Sequence, residues 1–314
     1  MNRFAFIARR LLFAVPLLLV IVFLVFMLLQ ITPGDPARAV AGLRASEADL
    51  RAVRHQLGLD DSVFVRFLRY VNDLLHGNLG YSFKSSEPVS AMIGERFPIT
   101  AWLLVSGILL SLAISIPAGI LSARRERGFA DTITRSTEMV GLAMPSFWVG
   151  IVLVLTVALP TGALPAGGFG EGFGGHLRSI VLPALTLAIS VAPLQIRSLR
   201  ASVLAVRGRD YVTMARTLGI SERRVTGRFV LRNAAGPSVS LLALNIGFLL
   251  FDAVIIESTF ALPGLGQGIV LAAKQRDIPA IQGYTLLFAV IVVLVYLAAD
   301  IVNAALDPRM KVES

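Results

Sequence analysis

The chain has 314 residues, of which 55% are hydrophobic, and it carries a formal net charge of +9. Its mean hydropathy of +0.75 places it among membrane proteins, because soluble domains rarely reach this apolar content. The arginines lie between long apolar runs, so membrane topology accounts for the positive charge and nucleic-acid binding is not expected. The absence of cysteine excludes disulfides, thiol catalysis and cysteine metal sites.

The first apolar run covers residues 11–31 and follows Arg3, Arg9 and Arg10. A secretory signal peptide also has basic residues before an apolar core, but such cores reach only about 15 residues. This run is long enough to cross a bilayer, so we expect residues 1–31 to form an N-terminal segment with a retained transmembrane helix.

The next segment, residues 32–96, is polar and is expected outside the cytoplasm as a helical region. It contains two amphipathic stripes, one that Ser46 is expected to cap and one over 63–75 that ends at Gly77. The two stripes either pack against each other and the membrane helices, or contact a soluble partner.

Five more apolar runs are long enough to span the membrane; they are 97–123, 139–159, 179–196, 238–260 and 278–306. Pro183 and Pro193 are expected to kink the fourth of the six spans. Arginine and lysine in the short loops fall almost entirely on one side, which the positive-inside rule assigns to the cytoplasm. The sequence therefore predicts an all-α, multi-pass inner-membrane protein with six transmembrane helices. It has an extracytoplasmic insertion between the first two helices, a core over 97–306, a tail over 307–314 and both termini in the cytoplasm.

An arginine-rich loop, residues 209–237, lies between the fourth and fifth runs. Its spacing predicts a short helix over 211–218 that ends at Gly219, followed by a second helix that Ser221 caps. Four residues are expected to share one face of the short helix: Tyr211, Met214, Ala215 and Leu218. Such a helix either fills a groove on a partner, folds back on its own bundle or lies on lipid headgroups.

The sequence contains no catalytic constellation, no histidine cluster with metal spacing and no phosphate-binding loop. Three acids lie within predicted spans: Asp252 and Glu257 in the fifth, with Asn245 in the same span, and Asp300 in the sixth, with Asn303 one turn on. Asn245, Asp252 and Glu257 are candidates for lining a translocation path. A structural role is the alternative for each acid, for example a pair between Asp300 and Arg197 or Arg200.

Several stretches together resemble the dipeptide/oligopeptide permeases of binding-protein-dependent ATP-binding-cassette importers. They are Gly34-Asp35-Pro36, Leu57-Gly58-Leu59-Asp60, Gly77-Asn78-Leu79-Gly80-Tyr81-Ser82, Met144-Pro145-Ser146-Phe147-Trp148, Asp210-Tyr211, Leu231-Arg232-Asn233-Ala234, the stretch Leu262 to Gly268, and Asp307-Pro308-Arg309. The stretch that begins at Leu262 resembles the family's outer re-entrant segment, and a tight Gly/Pro turn at the membrane surface is the alternative. Thr213-Met214-Ala215 departs from the family's Glu-Ala-Ala motif, which puts the role of that glutamate in doubt.

The resemblance implies a type I importer permease fold and a coupling helix that docks on an ATPase. The residues it assigns to ATPase coupling are Asp210, Tyr211, Met214, Ala215, Arg216, Leu218 and Gly219. It also implies a second homologous permease, two ATPase subunits that hold Mg-ATP, and an extracytoplasmic substrate-binding protein. The chain itself would be no enzyme and hold no cofactor. The implied cargo is a peptide, with a nickel chelate or glutathione as alternatives, and an ion-coupled secondary transporter remains the alternative mechanism.

Overall fold

The computed structural model describes residues 3–31, 36–42, 45–56, 58–124, 126, 128–244 and 246–306. Every regular element in this part of the chain is helical, apart from an isolated antiparallel bridge between Tyr81 and Pro88. The first eight helices are α1 (Arg3–Ile31), α2 (Pro36–Ala41), α3 (Glu47–Gln56), α4 (Val63–Leu75), α5 (Val89–Arg124), α6 (Phe129–Ala143), α7 (Ser146–Leu153) and, after a π-helical turn (Val154–Ala158), α8 (Leu159–Thr161). They are followed by α9 (Gly172–Arg207), α10 (Asp210–Thr217), α11 (Glu222–Arg224), a second π-helical stretch (Val225–Leu231), α12 (Arg232–Leu244), α13 (Ile246–Thr259), α14 (Leu265–Gln275) and α15 (Ile278–Leu306).

Three helical segments of the described chain are long and apolar enough to cross a membrane: Val89–Arg124, Gly172–Arg207 and Ile278–Ala298. A fourth candidate is a bent pair, Asp131–Ala143 with Ser146–Thr161, whose axes differ by 103°. The predicted count of six spans is therefore not confirmed. The run 238–260 is divided between α12 and α13, each shorter than 18 residues, and residue 245 between them lies outside the described residues.

The expected third span over 139–159 is interrupted in the structure, where its residues divide between α6 and α7. Pro145 is extended, with φ −63° and ψ 141°, and Met144 before it is also extended. Proline has no N–H to donate and disfavours helical geometry in the preceding residue, so the helix ends at Ala143 and a new one begins at Ser146. In contrast, α9 runs unbroken through Pro183 and Pro193.

Contacts divide the chain into two compact units, and the first comprises residues 1–7, 99–267 and 292–314. Its centre is α9, on which α6, α7, α12 and α13 pack. Helix α9 is the most buried of the three candidate spans. In its apolar 18-residue stretch 72% is buried inside the protein, against 39% in the corresponding stretch of Val89–Arg124. Gly141 of α6 permits one of these close contacts, because a Cβ there would lie 2.8 Å from Cγ of Pro193.

The second unit comprises residues 8–98 and 268–291. Here the predicted cap of α3 is confirmed: the Asp49 N–H donates to Oγ of Ser46, and the Ser46 N–H donates to the Asp49 carboxylate at 3.0 Å. Burial raises the pKa of Tyr70 in α4 to about 12, so its phenol stays neutral. The carboxylate of Asp277 accepts a bond from the Ser82 hydroxyl and another, at 3.1 Å, from the N–H of Phe83. These bonds hold the turn before α5 against the start of α15.

We expect Gly141→Ala to destabilise the protein by about 1–3 kcal/mol, because a methyl group there overlaps the rigid ring of Pro193. The matched control is Gly94→Ala in α5, where a Cβ meets nothing within 4 Å. That change should stay within about 1 kcal/mol of the parent, since alanine is the better helix former. Thermal unfolding of the purified transporter measures both, and equal midpoints for the two variants would contradict the close α6–α9 contact.

Candidate functional site

The predicted helix–turn–helix in the arginine-rich loop is confirmed. The first helix, α10, ends where Gly219 adopts a left-handed conformation with φ +75°. The N–H of Ile220 then donates to the carbonyl of Ala215 at 3.2 Å, and the N–H of Gly219 donates to that of Arg216 at 2.9 Å. These bonds satisfy carbonyl groups that the end of a helix would otherwise leave without a partner. Glycine adopts the left-handed conformation at this position without strain.

One side of α10 is buried in the protein. Val212 is 0% exposed and Ala215 is 4% exposed. They belong to an apolar cluster, called here the inner cluster, whose buried members are Ala123, Leu199, Val203, Val212, Ala215, Val225, Val230 and Ala234. The inner cluster joins α10 to the end of α5, the last turns of α9 and the start of α12.

The other side of α10 faces outward and is apolar. Tyr211, Met214 and Leu218 are 44%, 64% and 70% exposed, and their spacing places them on one face, called here the outward face. The expectation that Ala215 shares this face is wrong, because its side chain points into the inner cluster. Three apolar side chains on two helical turns, open to the surroundings, are typical of a surface that another protein covers.

Two charged residues assigned to coupling lie at the ends of α10. Asp210 is exposed in its first turn, where a negative charge is favourable at the N-terminus of a helix. Arg216 lies in its last turn and its Nε donates to the Glu222 carboxylate at 2.9 Å, across the turn to α11. This pair is largely exposed, so it adds little free energy and mainly orients the turn.

The second helix of the loop departs from α-helical geometry. Ser221 lies at the position before α11, as predicted, but its side chain makes no cap hydrogen bond. After Arg224 the chain is π-helical through Leu231. Because π-helical bonds join residues five apart, Val225 and Val230 come to the same side, and both are buried in the inner cluster.

A buried ion pair lies beside this cluster. Nε of Arg200 in α9 donates to Oδ1 of Asp131 in α6 at 2.6 Å, and its Nη2 donates to Oδ2 at 2.9 Å. The Ser122 hydroxyl, near the end of α5, also donates to Asp131 at 2.5 Å. The Asp131 side chain is 1% exposed and that of Arg200 is 18% exposed. The bidentate pair therefore ties α5, α6 and α9 together where they meet α10.

Sequence reasoning missed this pair and named only a pair of Asp300 with Arg197 or Arg200. Arg200 binds Asp131, and the side chain of Asp300 lies outside the described residues. One available signal was that Asp131 is an acid within a basic loop, close to the start of an apolar run. Such an isolated acid in a membrane protein usually has a basic partner.

The three residues proposed to line a path have different surroundings. Asn245 lies outside the described residues. Asp252 of α13 is half-buried and accepts a hydrogen bond at 3.0 Å from the Ser146 hydroxyl, at the start of α7. Glu257 is 0% exposed, and its carboxylate accepts from the Thr100 hydroxyl at 2.6 Å and from the N–H of Gln267 at 3.0 Å. These bonds favour the structural alternative for Glu257, because they fix the first turn of α14. No group of three or more metal-ligating side chains occurs in the part of the chain that the structure describes.

Comparison with known proteins assigns the chain to a transport family. Residues 115–312 match the family described as binding-protein-dependent transport system inner membrane component, and residues 3–104 match its N-terminal counterpart. The glutathione transport system permease protein GsiC of Escherichia coli O6:H1 strain CFT073 is 34% identical over 306 residues, covering 98% of each chain. The GsiC protein of Salmonella paratyphi A is 35% identical over the same length and coverage.

A solved structure shares the fold. The inward-facing MetNI methionine ABC transporter superposes with a TM-score of 0.56 at 17% identity, over 71% of this chain and 99% of that chain. At this identity the likeness concerns the fold alone, and it supports the expected type I importer permease architecture.

We expect Asp131→Ala to destabilise the protein by about 3–5 kcal/mol, because it leaves the Arg200 guanidinium buried without its carboxylate. Glu222→Ala removes the exposed partner of Arg216 and is the matched control, with an expected cost below about 1 kcal/mol. Denaturant unfolding of the purified transporter measures both. A loss for Asp131→Ala no larger than that for Glu222→Ala would show that the buried pair does not hold the three helices.

Proposed function

Because the chain belongs to the family of binding-protein-dependent transport system inner membrane components, and is thus a permease component of an ATP-binding-cassette importer, we propose that it imports short peptides by alternating access. In this proposal, separate ATPase subunits supply the energy and transmit it through α10. The permease works beside a second, homologous permease and receives its cargo from an extracytoplasmic binding protein. Six spans cross the inner membrane and both termini lie in the cytoplasm.

The observation that carries the proposal is the two-sided character of α10. Its inner side, Val212 and Ala215, is fixed in the inner cluster, while the outward face leaves Tyr211, Met214 and Leu218 exposed. Exposed arginines precede and follow α10 in the sequence. By the positive-inside rule, we therefore expect the outward face to lie in the cytoplasm. An amphipathic helix presented in this way fits a groove on a cytoplasmic partner.

Packed side chains connect α10, which carries the outward face, to the membrane helices. The inner cluster connects α10 to α9 and α12, and the Asp131–Arg200 pair connects α9 to α6 and the end of α5. Side chains packed at interior density move together, so a displacement of α10 is passed to these helices as a rigid movement. The rocking of the spans that exposes the path alternately to each side follows from this connection.

ATP hydrolysis is assigned to the partner subunits. The three lysines of the sequence, Lys84, Lys274 and Lys311, all stand outside the pattern of a phosphate-binding loop. Mg-ATP would therefore bind to the ATPase chains, and this chain would contribute only the surface that they move.

Glutathione is the first cargo to test, because the GsiC relatives are named for glutathione transport and glutathione is itself peptide-like. The carboxylate of Asp252, held by Ser146 and half-buried, is the described group that we propose contacts an ammonium of the cargo. Dipeptides and nickel chelates are the alternatives. Selectivity would rest largely with the binding protein. The 34–35% sequence identity between this chain and the GsiC proteins therefore does not identify the cargo, which experiment must decide.

Replacing outward-face residues should separate the permease from its ATPases. In Met214→Glu and Leu218→Glu, a carboxylate replaces an exposed apolar side chain that we propose to be buried on docking, which costs several kcal/mol without a partner. We expect the ATPases to be lost from the purified complex and uptake to stop, while the permease still inserts in the membrane. Thr213→Glu is the matched control, because Thr213 is exposed on another side of the same helix. Retained ATPase and uptake in Leu218→Glu would overturn the docking proposal.

Transport in vesicles distinguishes the energy source and the cargo. With the binding protein and the ATPases present, we expect the vesicles to take up labelled glutathione. This uptake should require ATP on the side of the membrane that carries the ATPases, and it should be unaffected when ion gradients are collapsed. Competition with dipeptides and mass spectrometry of ligand bound to the purified binding protein identify the cargo. Uptake driven by an ion gradient without ATP would contradict the mechanism, whereas ATP-driven uptake of a different solute would change only the cargo.

A further inference from the structure

The second unit contains a cavity of about 450 Å³. Its walls are the last turns of α4, the turn over residues 78–86 and the start of α15, all of which belong to this unit. Asn78 and Tyr81 line the cavity and are exposed, so the cavity is open to solvent. Sites for small ligands usually have volumes of about 300–1,000 Å³, so this one is large enough for a molecule of dipeptide size.

Among the described residues that line the cavity, Asp73 is the one with a charged side chain. Asp73 is half-buried, and its carboxylate has no hydrogen-bond or ion-pair partner in the part of the chain that the structure describes. The two bases within one turn of it are engaged elsewhere. Arg69 binds the Asp61 carboxylate at 2.6 Å, and Nδ1 of His76 lies 2.8 Å from the carbonyl oxygen of Asn72. Because a partly buried charge is costly without a partner, this carboxylate favours a positively charged ligand.

Aromatic side chains form much of the remaining wall. Tyr70, Tyr81 and Phe83 line the cavity, together with the apolar Leu79 and Pro279. An aromatic ring attracts a cation placed over its face, and the attraction is stronger where water is displaced. Rings combined with a single carboxylate suit an organic ammonium ion better than an inorganic cation, which prefers several oxygen ligands.

The turn that closes one wall is held in a single conformation. The Ser82 hydroxyl accepts from the N–H groups of Lys84 at 3.1 Å and Ser85 at 2.9 Å, and it donates to the Asp277 carboxylate. Ser86, which lines the cavity, has a left-handed backbone with φ +60°. A residue other than glycine keeps this conformation only where its surroundings hold it, and such strained residues cluster at ligand sites. A wall that is ordered before binding lowers the entropy cost of binding a ligand.

We propose that this cavity binds the ammonium group of a short peptide, with the Asp73 carboxylate as its counter-ion and the rings of Tyr70, Tyr81 and Phe83 around it. The carboxylate end of the peptide stays in solvent, because no basic side chain among the described residues lines the cavity. The volume favours a whole small molecule over a single lysine side chain of a partner protein. The proposal rests on the peptide cargo and the topology given above, in which this segment lies outside the cytoplasm and meets the cargo first.

A fluorophore beside the cavity tests the site in the complete transporter, without the binding protein and without ATP. The chain has no cysteine, so Glu87→Cys carries the single label next to Ser86, and the partner subunits are made cysteine-free. The probe is alanyl-phenylalanine, and the matched probe is its N-acetyl form, which lacks the ammonium group. Asp73→Asn removes the carboxylate from the cavity. Asp60→Asn is the matched control, because Asp60 is exposed in the same unit and does not line the cavity.

We expect the dissociation constant of alanyl-phenylalanine to rise about tenfold or more in Asp73→Asn, because a charge-assisted hydrogen bond is lost. The N-acetyl probe should bind the parent more weakly by a similar factor. The Asp60→Asn variant should stay within about twofold of the parent, since solvent screens an exposed charge.

Equal affinity of the parent and Asp73→Asn would overturn the proposal, and so would equal affinity of the two probes or a label that responds to neither. If the label ignores the dipeptide but Asp73→Asn weakens attachment of the purified binding protein, a basic side chain of that protein occupies the cavity and the proposal is wrong. Failure of the proposed function gives a different result: the dipeptide binds beside the label, but the transporter does not take it up when the binding protein and ATP are supplied.

Discussion

The packing of α10 against the inner cluster is the interaction on which the rest of the candidate site depends. An isolated helix of eight residues is unstable in water, because the cost of its first turn is not recovered over so short a length. Full burial of an aliphatic side chain contributes about 1.5–3 kcal/mol, and Val212 is completely buried. The exposed pair between Arg216 and Glu222 contributes less than about 1 kcal/mol. Packing therefore makes α10 rigid, and only a rigid helix can pass a displacement to its neighbours.

The Asp131–Arg200 pair has a different role from the apolar contacts beside it. Removing two charges from water costs about as much as their attraction returns, so a buried pair is weak evidence for stability. Its bidentate geometry nevertheless allows one arrangement of α6 on α9, and the Ser122 hydroxyl extends that arrangement to α5. The apolar cluster attaches α10 to α9 and α12, and the ion pair fixes how α6 packs on α9.

The sequence predicted the features that depend on local chemistry. Gly219 ends α10 as predicted, because a left-handed residue there favours glycine, and Ser46 caps α3 because its hydroxyl is three residues from Asp49. The sequence failed where the outcome depends on distant residues. Periodicity placed Ala215 near Tyr211 and Leu218 but could not show that the inner cluster would take Ala215 inward. The pairing of Arg200 with Asp131 depends on how α6 crosses α9, which no local pattern records.

Glu257 shows why a charge inside a predicted span does not by itself mark a path. The backbone between α13 and α14 is irregular, and an irregular backbone at membrane depth is tolerated only where its polar groups have partners. The Glu257 carboxylate supplies one to the N–H of Gln267, and the Thr100 hydroxyl, which donates to Glu257, accepts from the N–H of Leu265. Gly266 allows the approach, because a Cβ there would lie 2.5 Å from Cα of Val254. Both oxygens of Glu257 are engaged in holding this segment, which leaves the half-buried Asp252 as the acid of α13 that we propose meets the cargo.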